Sequence, residues 1–223
     1  MKLYHSARSS ASYRVRIAMA HKGISYESRL LNMQAMQHRS PRFLAVNPLA
    51  LVPALDTGAH ILTQSMAIIE YLDEVRPEPA LLPADPLDRA YVRAVSQLVA
   101  CEIHPLNNLR TLDYVRGICR TEDAVSAWYR HWISDGFTLL ETFLARERRH
   151  GRHCLGDEIT VADCCLVPQV ANAQRYECDL SPYPSIMHIN ENCVQLSPFQ
   201  EASPENQGQQ FWLSESNAAG DTR

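Results

Sequence analysis

No C-x-x-C pair occurs among the 7 cysteines, their number is odd, and Cys164 and Cys165 are adjacent, which is poor geometry for a compact bridge. Reduced thiols in a reducing compartment are therefore expected. No run of 18 apolar residues is present to cross a bilayer. The opening MKLYHSARSS carries one Lys and no apolar core, so it does not read as a secretory signal, and the expected address is the cytoplasm. Positive charge is in deficit: 21 Lys plus Arg against 25 Asp plus Glu give a net charge of -4. That balance argues against a polycationic clamp for nucleic acid and leaves room for a local basic pocket. Glycine is scarce at 8 residues, and no internal repeat is found. Disordered and fibrous classes are excluded, because 46% of the residues are hydrophobic and 21% charged.

What is present divides in two. The 223 residues suffice for one large domain or two small ones. Through residue 80 the pattern alternates: a strand at Leu3 and Tyr4, a helix from Ala11 to Lys22 stopped by Gly23, and a strand from Tyr26 to Leu31. A short helix from Arg42 to Val46 follows, then VPALD and HIL flanking a Thr57-Gly58 turn, and a helix from Gln64 to Val75. The order β-α-β-α-β-β-α predicts a mixed sheet with a right-handed first crossover. Pro77, Pro79, Pro83 and Pro86 then mark a stiff boundary, with residues 81–86 as linker. Residues 87–203 read as all-helical, with a kink expected at Pro105 where the ring removes a helix hydrogen bond. Residues 204–223 turn polar and are expected to form a mobile tail, with Phe211-Trp212 the pair able to dock.

Several residues are candidates for chemistry, each with a bland alternative. Arg8-Ser9-Ser10-Ala11-Ser12 lies between the first strand and first helix, where a serine is an ordinary N-cap. A helix N-terminus with hydroxyls also stabilises an anion, including a thiolate. No Cys lies in that segment, so a thiolate there must arrive with a ligand. Val52-Pro53 is either a plain strand-opening proline or, if cis, a backbone edge able to pair with an extended peptide. Gln64-Ser65 opens a helix as a cap, or binds a ligand carboxylate at its dipole. Thr160 and Asp163 form a capping box. His150, His153 and Cys154 lack a fourth partner at defined spacing, so no metal is expected. His104, Asn107, Asn108 and Arg110 cluster at Pro105, and Arg175 ends a helix; these form either a solvated face or the lining of an acidic-substrate pocket.

Taken together, RSSASYRVRIAMAHKGISYE, NPLALVPALDTG, QSMAIIEYLDE, LLPADP and GDEITVADCCLVPQVANAQRYECDLSPYP resemble the zeta class of glutathione transferases, and within it the bacterial maleylpyruvate isomerases. The resemblance runs from Met1 to about Gln200. It implies a thioredoxin-like glutathione-binding domain, an all-helical substrate domain and a homodimer. It further implies glutathione-dependent cis-trans isomerisation of a small dicarboxylic keto acid, maleylpyruvate first, with maleylacetoacetate or α-halo acids as alternatives. By that resemblance Ser9 stands near the glutathione sulfur, Val52 and Pro53 pair with its cysteinyl backbone, Gln64 and Ser65 hold its γ-glutamyl carboxylate, and His38 stands near its glycyl end. Arg8, Arg110 and Arg175 are candidates for the substrate carboxylates, with His104 and Asn108 donating to the oxygen that gains charge. One departure stands out: where the class signature usually reads Ser-Ser-Cys, Ala11 replaces the cysteine.

Overall fold

The computed structural model describes residues 1–213 and divides into two compact units. The first comprises Met1–Pro79 together with the described residues from Ser197 to Leu213; the second is Ala80–Leu196.

In the first unit a four-stranded sheet is built from β1 (Lys2–His5), β2 (Glu27–Leu30), β3 (Ala54–Asp56) and β4 (Ile61–Thr63), in the order β2-β1-β3-β4. β1 runs parallel to β2 and antiparallel to β3, and β3 runs antiparallel to β4, so the sheet is mixed as the element order required. Because β1 is an interior strand, Leu3, Tyr4 and His5 are all buried. Alternation sends Tyr4 and its partner Ala54 to one face and Leu3 and its partner Leu55 to the other. On the Tyr4 face the cluster is completed by Leu31, Phe43 and Trp212. Three helices belong to this part of the chain: α1 (Ser10–His21), α2 (Pro41–Leu44) and α3 (Ser65–Val75).

The C-terminal stretch differs from its expected course. Instead of continuing the helical domain to residue 203 and trailing away, the chain from Ser197 returns to the first unit. There the chain's last helix, Ser197–Ala202, packs on α1, with the Tyr13 hydroxyl donating to Phe199 O at 3.0 Å. Trp212 lies edge-on to Tyr4 at 5.0 Å, its backbone N–H donates to Leu30 O at 2.8 Å, and the Arg42 guanidinium sits 4.7 Å from its ring centroid. The physical reason is apolar area: a buried indole outweighs the polar composition around it. The remainder of the expected tail, 214–223, lies outside the described residues.

The second unit is helical: α4 (Pro86–Gln97), α5 (Leu109–Cys119), α6 (Glu122–Glu147), α7 (Val161–Arg175) and α8 (Pro184–Cys193) precede the final helix, α9 (Ser197–Ala202), of the first unit. α7 is buried on nearly every side, with Pro168 within it, and packs on α4 and α8. Its N-terminus carries the expected capping box: Asp163 accepts from Thr160 N–H at 2.8 Å, Thr160 Oγ1 at 2.9 Å and Cys154 N–H at 2.8 Å. α8 has no side-chain cap of its own; Glu141 of α6 accepts from the N–H groups of Ser185 and Ile186 at 2.9 and 3.0 Å. The expected kink at Pro105 takes another form. α4 ends at Gln97, the chain widens into a π turn over Leu98–Ile103, then tightens into a 3-10 turn over His104–Asn107. Gly136 of α6 makes the wide turn possible, since a Cβ there would collide with Ile103. No helix among the described residues is long and apolar enough to cross a membrane.

His5 makes folding pH-dependent. Burial and the neighbouring Arg16 hold its imidazole down at about 3, so it is neutral in the fold. Arg16 can only donate, so His5 Nδ1 accepts from it at 3.3 Å and Nε2–H donates to Ser28 Oγ at 2.7 Å. In the unfolded chain the ring protonates near its ordinary 6.5. Stability from this residue is therefore complete above pH 6.5 and is lost as pH falls toward 3, at about 1.4 kcal/mol per pH unit. Urea unfolding of the chain at a series of pH values should show this slope between pH 6 and 4, and His5→Asn should flatten it.

Candidate functional site

Strand register brings three turns of the first unit to one sheet edge. β1 ends at His5, and the chain enters α1 through residues 6–9; β3, antiparallel to it, begins beside that end, with Ala54 opposite Tyr4. β4 finishes opposite the same residue, Thr63 pairing with Ala54, and leads at once into α3. Ser9, Val52-Pro53 and Gln64-Ser65 thus converge, and the N-termini of α1 and α3 both open at this edge. β2, parallel to β1, ends there as well and leads toward the 3-10 turn that carries the buried His38.

Ser9 is the N-cap of α1, in extended backbone geometry, and its hydroxyl oxygen accepts from Ser12 N–H at 3.2 Å. That contact uses an acceptor position and leaves the hydroxyl hydrogen to be donated outward. The turn is closed by Ser9 N–H donating to Ser6 O at 3.2 Å and by Ser6 N–H donating to Ser12 Oγ at 3.4 Å. Arg8 is exposed at its crest. The Val52-Pro53 bond, whose isomer was open from sequence, is cis, and the strand pairing begins just beyond it at Ala54.

At α3 one local expectation is corrected. Ser65 is not the cap but the first helical residue; Gln64 holds the cap position without a side-chain bond, at φ 70° and ψ 117°. Such a backbone is costly for a residue with a Cβ and is held by the elements on either side of it. The Ser65 hydroxyl is instead approached by the buried Arg14, whose Nη1 donates to it at 3.4 Å. With its oxygen accepting from a cation, that hydroxyl also presents its hydrogen outward. Two helix N-termini, two outward hydroxyls and a buried guanidinium at one edge suit a ligand carrying a carboxylate and an acidic thiol.

The second unit holds the remaining candidates. His104 is half-buried in the 3-10 turn, which is fixed by Trp128 Nε1–H on Leu106 O at 2.8 Å, Asn107 Nδ2–H on Tyr129 O at 3.3 Å and Thr111 Oγ1–H on Pro105 O at 2.8 Å. Asn108 is the N-cap of α5, its amide oxygen accepting from Arg110 N–H at 3.2 Å, which leaves its NH2 group as the donor. Arg110 is exposed. Arg175 ends α7, donates to Asn172 Oδ1 at 3.0 Å and lies 5.4 Å from the Tyr176 ring centroid. Tyr176 stacks on Tyr129 at 3.5 Å, and Tyr129 carries the carbonyl that holds Asn107, so the 3-10 turn and the end of α7 belong to one connected neighbourhood.

Arg14, Tyr129 and Tyr176 escaped the sequence reading. The available signal for the first was two arginines, Arg14 and Arg16, among the apolar positions of α1, which a solvent-facing helix would not place there. His153, Asp163 and Cys193 also meet, His153 Nδ1 standing 3.3 Å from Cys193 Sγ and 4.0 Å from Asp163 Oδ1. The carboxylate of that group is already engaged by the capping box.

Residues 1–74 match the glutathione S-transferase N-terminal domain family. Over 92% of its length the chain is 48% identical to a maleylpyruvate isomerase of Ralstonia sp, covering 97% of that protein. Among solved structures, the holo form of a bacterial zeta-class maleylpyruvate isomerase superposes with a TM-score of 0.91 at 48% identity, over 94% of this chain and 99% of that one. The maleylacetoacetate isomerase of Methylobacterium extorquens AM1, solved with malonate and glutathione bound, superposes at 0.90 with 37% identity, over 93% and 98%.

Proposed function

We propose that this chain, which belongs to the zeta-class glutathione transferases with their maleylpyruvate and maleylacetoacetate isomerases, is a glutathione-dependent cis-trans isomerase converting maleylpyruvate to fumarylpyruvate. The observation that carries this reading is the meeting of Ser9 and Ser65, at the starts of α1 and α3, beside the cis Val52-Pro53 bond. Bound glutathione supplies a thiolate that adds to the cis double bond and, after rotation about the resulting single bond, leaves again. The residues of this chain bind it and hold its charge. Ser65 and Gln64 take the γ-glutamyl carboxylate, with the Arg14 cation behind them; Val52 offers backbone groups to the cysteinyl residue, and His38 stands toward the glycyl end. The Ser9 hydroxyl donates to sulfur. A free thiol near pKa 8.5 is only about 3% ionised at pH 7, and lowering it by about two units needs roughly 2.7 kcal/mol. A helix terminus and one charge-assisted hydrogen bond are of that size.

Ala11 leaves no protein thiol in the segment, so glutathione is obligatory and is not consumed. Turnover in thoroughly glutathione-free enzyme would overturn this. Ser9→Ala should lower kcat about ten- to a hundredfold while leaving KM for the keto acid within a few-fold, because the lost bond acts on sulfur and not on the substrate acids. An unchanged kcat would remove Ser9 from that role.

Arg8, Arg110 and Arg175 serve the substrate carboxylates, His104 and the Asn108 NH2 the oxygen that gains charge. Arg110 is assigned to the pyruvyl carboxylate: it is exposed, and among the described residues its guanidinium is engaged by no carboxylate. Its removal should cost about ten- to a hundredfold in kcat/KM on maleylpyruvate and less on the longer maleylacetoacetate. Equal losses on both acids would show that Arg110 does not set the preference. A role in aromatic catabolism follows from the substrate. The accompanying reading is a homodimer, as the family resemblance implies, in the cytoplasm, the address supported by seven unbridged thiols. Sedimentation of a monomer at micromolar concentration would count against the dimer.

A further inference from the structure

Arg16 is fully buried, yet among the described residues no carboxylate is hydrogen-bonded to it. Its guanidinium is spent on neutral acceptors. Nε donates to Ala202 O at 2.9 Å, Nη1 to Ser6 O at 3.1 Å and to His5 Nδ1 at 3.3 Å, and Nη2 to Ala7 O at 2.9 Å. The titratable groups around it are His5 of β1, Tyr13 of its own helix, Tyr26 before β2 and Glu205 after α9. Burying a cation with no carboxylate hydrogen-bonded to it is unfavourable, and burial accordingly lowers this guanidinium to about 10, Glu205 and the tyrosines offsetting it only in part. An apolar side chain of similar volume would fill the space without that cost. What only the planar fork supplies is simultaneous grip on several carbonyls.

Those carbonyls have a specific address. Ser6 and Ala7 directly precede Arg8 and Ser9, and Ser6 O is the same atom that accepts from Ser9 N–H at 3.2 Å. The third carbonyl, Ala202 O, belongs to α9. We propose that Arg16 is a positioning residue for the thiolate site, clamping the Ser6-Ala7 backbone to the C-terminal return so that the Ser9 hydroxyl is aimed before any ligand arrives. The inference rests on the reading that Ser9 donates to glutathione sulfur. It assigns the aim of that donor to a residue that touches neither glutathione nor substrate.

Arg16→Lys keeps the charge and loses the fork; Arg16→Gln keeps two donors and loses the charge. For each, thermal midpoint, glutathione affinity by calorimetry, ionisation of the bound thiol by ultraviolet difference absorbance across pH, and kcat are measured. The Lys variant should fold and bind glutathione within about threefold of wild type. Its bound thiol should ionise about one pH unit higher, and kcat at pH 7 should fall about threefold, in line with the smaller thiolate fraction. In a Ser9→Ala background the same change should cost almost nothing further in kcat, since its effect passes through that hydroxyl. A folded variant with the wild-type ionisation curve and kcat overturns the proposal, whatever its thermal midpoint. So does failure of both variants to fold in the presence of glutathione, which makes the residue structural. Wild-type enzyme that leaves bound glutathione protonated at pH 7 removes the underlying role of Ser9, and this proposal with it.

Discussion

Everything about the glutathione half of the molecule depends on the pairing of one four-residue strand. β1 is parallel to β2 on one side and antiparallel to β3 on the other, and that choice decides which chain turns share an edge. A shift by one residue would turn Tyr4 out of its cluster with Phe43 and Trp212 and expose an apolar face, so the register is strongly specified. Once it is set, the loop into α1, the start of β3 and the loop into α3 have no freedom to be anywhere but together.

The helical unit answers to a different rule. α7 is buried nearly all round, and a helix of that kind needs its ends satisfied by protein because water does not reach them. Asp163 serves the N-terminus of α7 and the amide of Cys154 at once, while Glu141 does the same for α8 from a neighbouring helix. Both are carboxylates placed at positive helix ends, so one device closes the core at the start of α7, which carries Arg175, and at the start of α8. The wide turn before His104 is likewise a packing outcome, permitted by a glycine one helix away.

How much of this was legible in the sequence varied with the range of the interactions involved. The alternating elements, the Ser9 cap and the Thr160–Asp163 box are local patterns, and the structure reproduces them. Ser65 as a cap was a near miss, because the φ of 70° at Gln64 is imposed by the elements around it and not by its own preference. The pairing of Arg14 with Ser65 spans 51 residues and the Tyr13 contact with Phe199 spans 186, separations that no periodicity encodes. The polar composition after Gln200 read as a mobile tail with Phe211-Trp212 able to dock, and the burial of Trp212 decides the course of that segment. A kink was expected from Pro105 alone, whereas the chain takes a π turn ending at Ile103, packed against Gly136, and then a 3-10 turn.

The return of Ser197 to Leu213 onto the first unit also imposes an order in time. A ribosome releases the chain from its amino end, so the sheet and α1 emerge long before the indole that covers Tyr4 and the carbonyls that meet Tyr13 and Arg16. The second unit, made entirely of Ala80–Leu196, has all of its parts available first. The first unit is thus completed only after the second has all of its parts, and its apolar Tyr4 face stays open until Trp212 has emerged, a window in which a chaperone has something to hold.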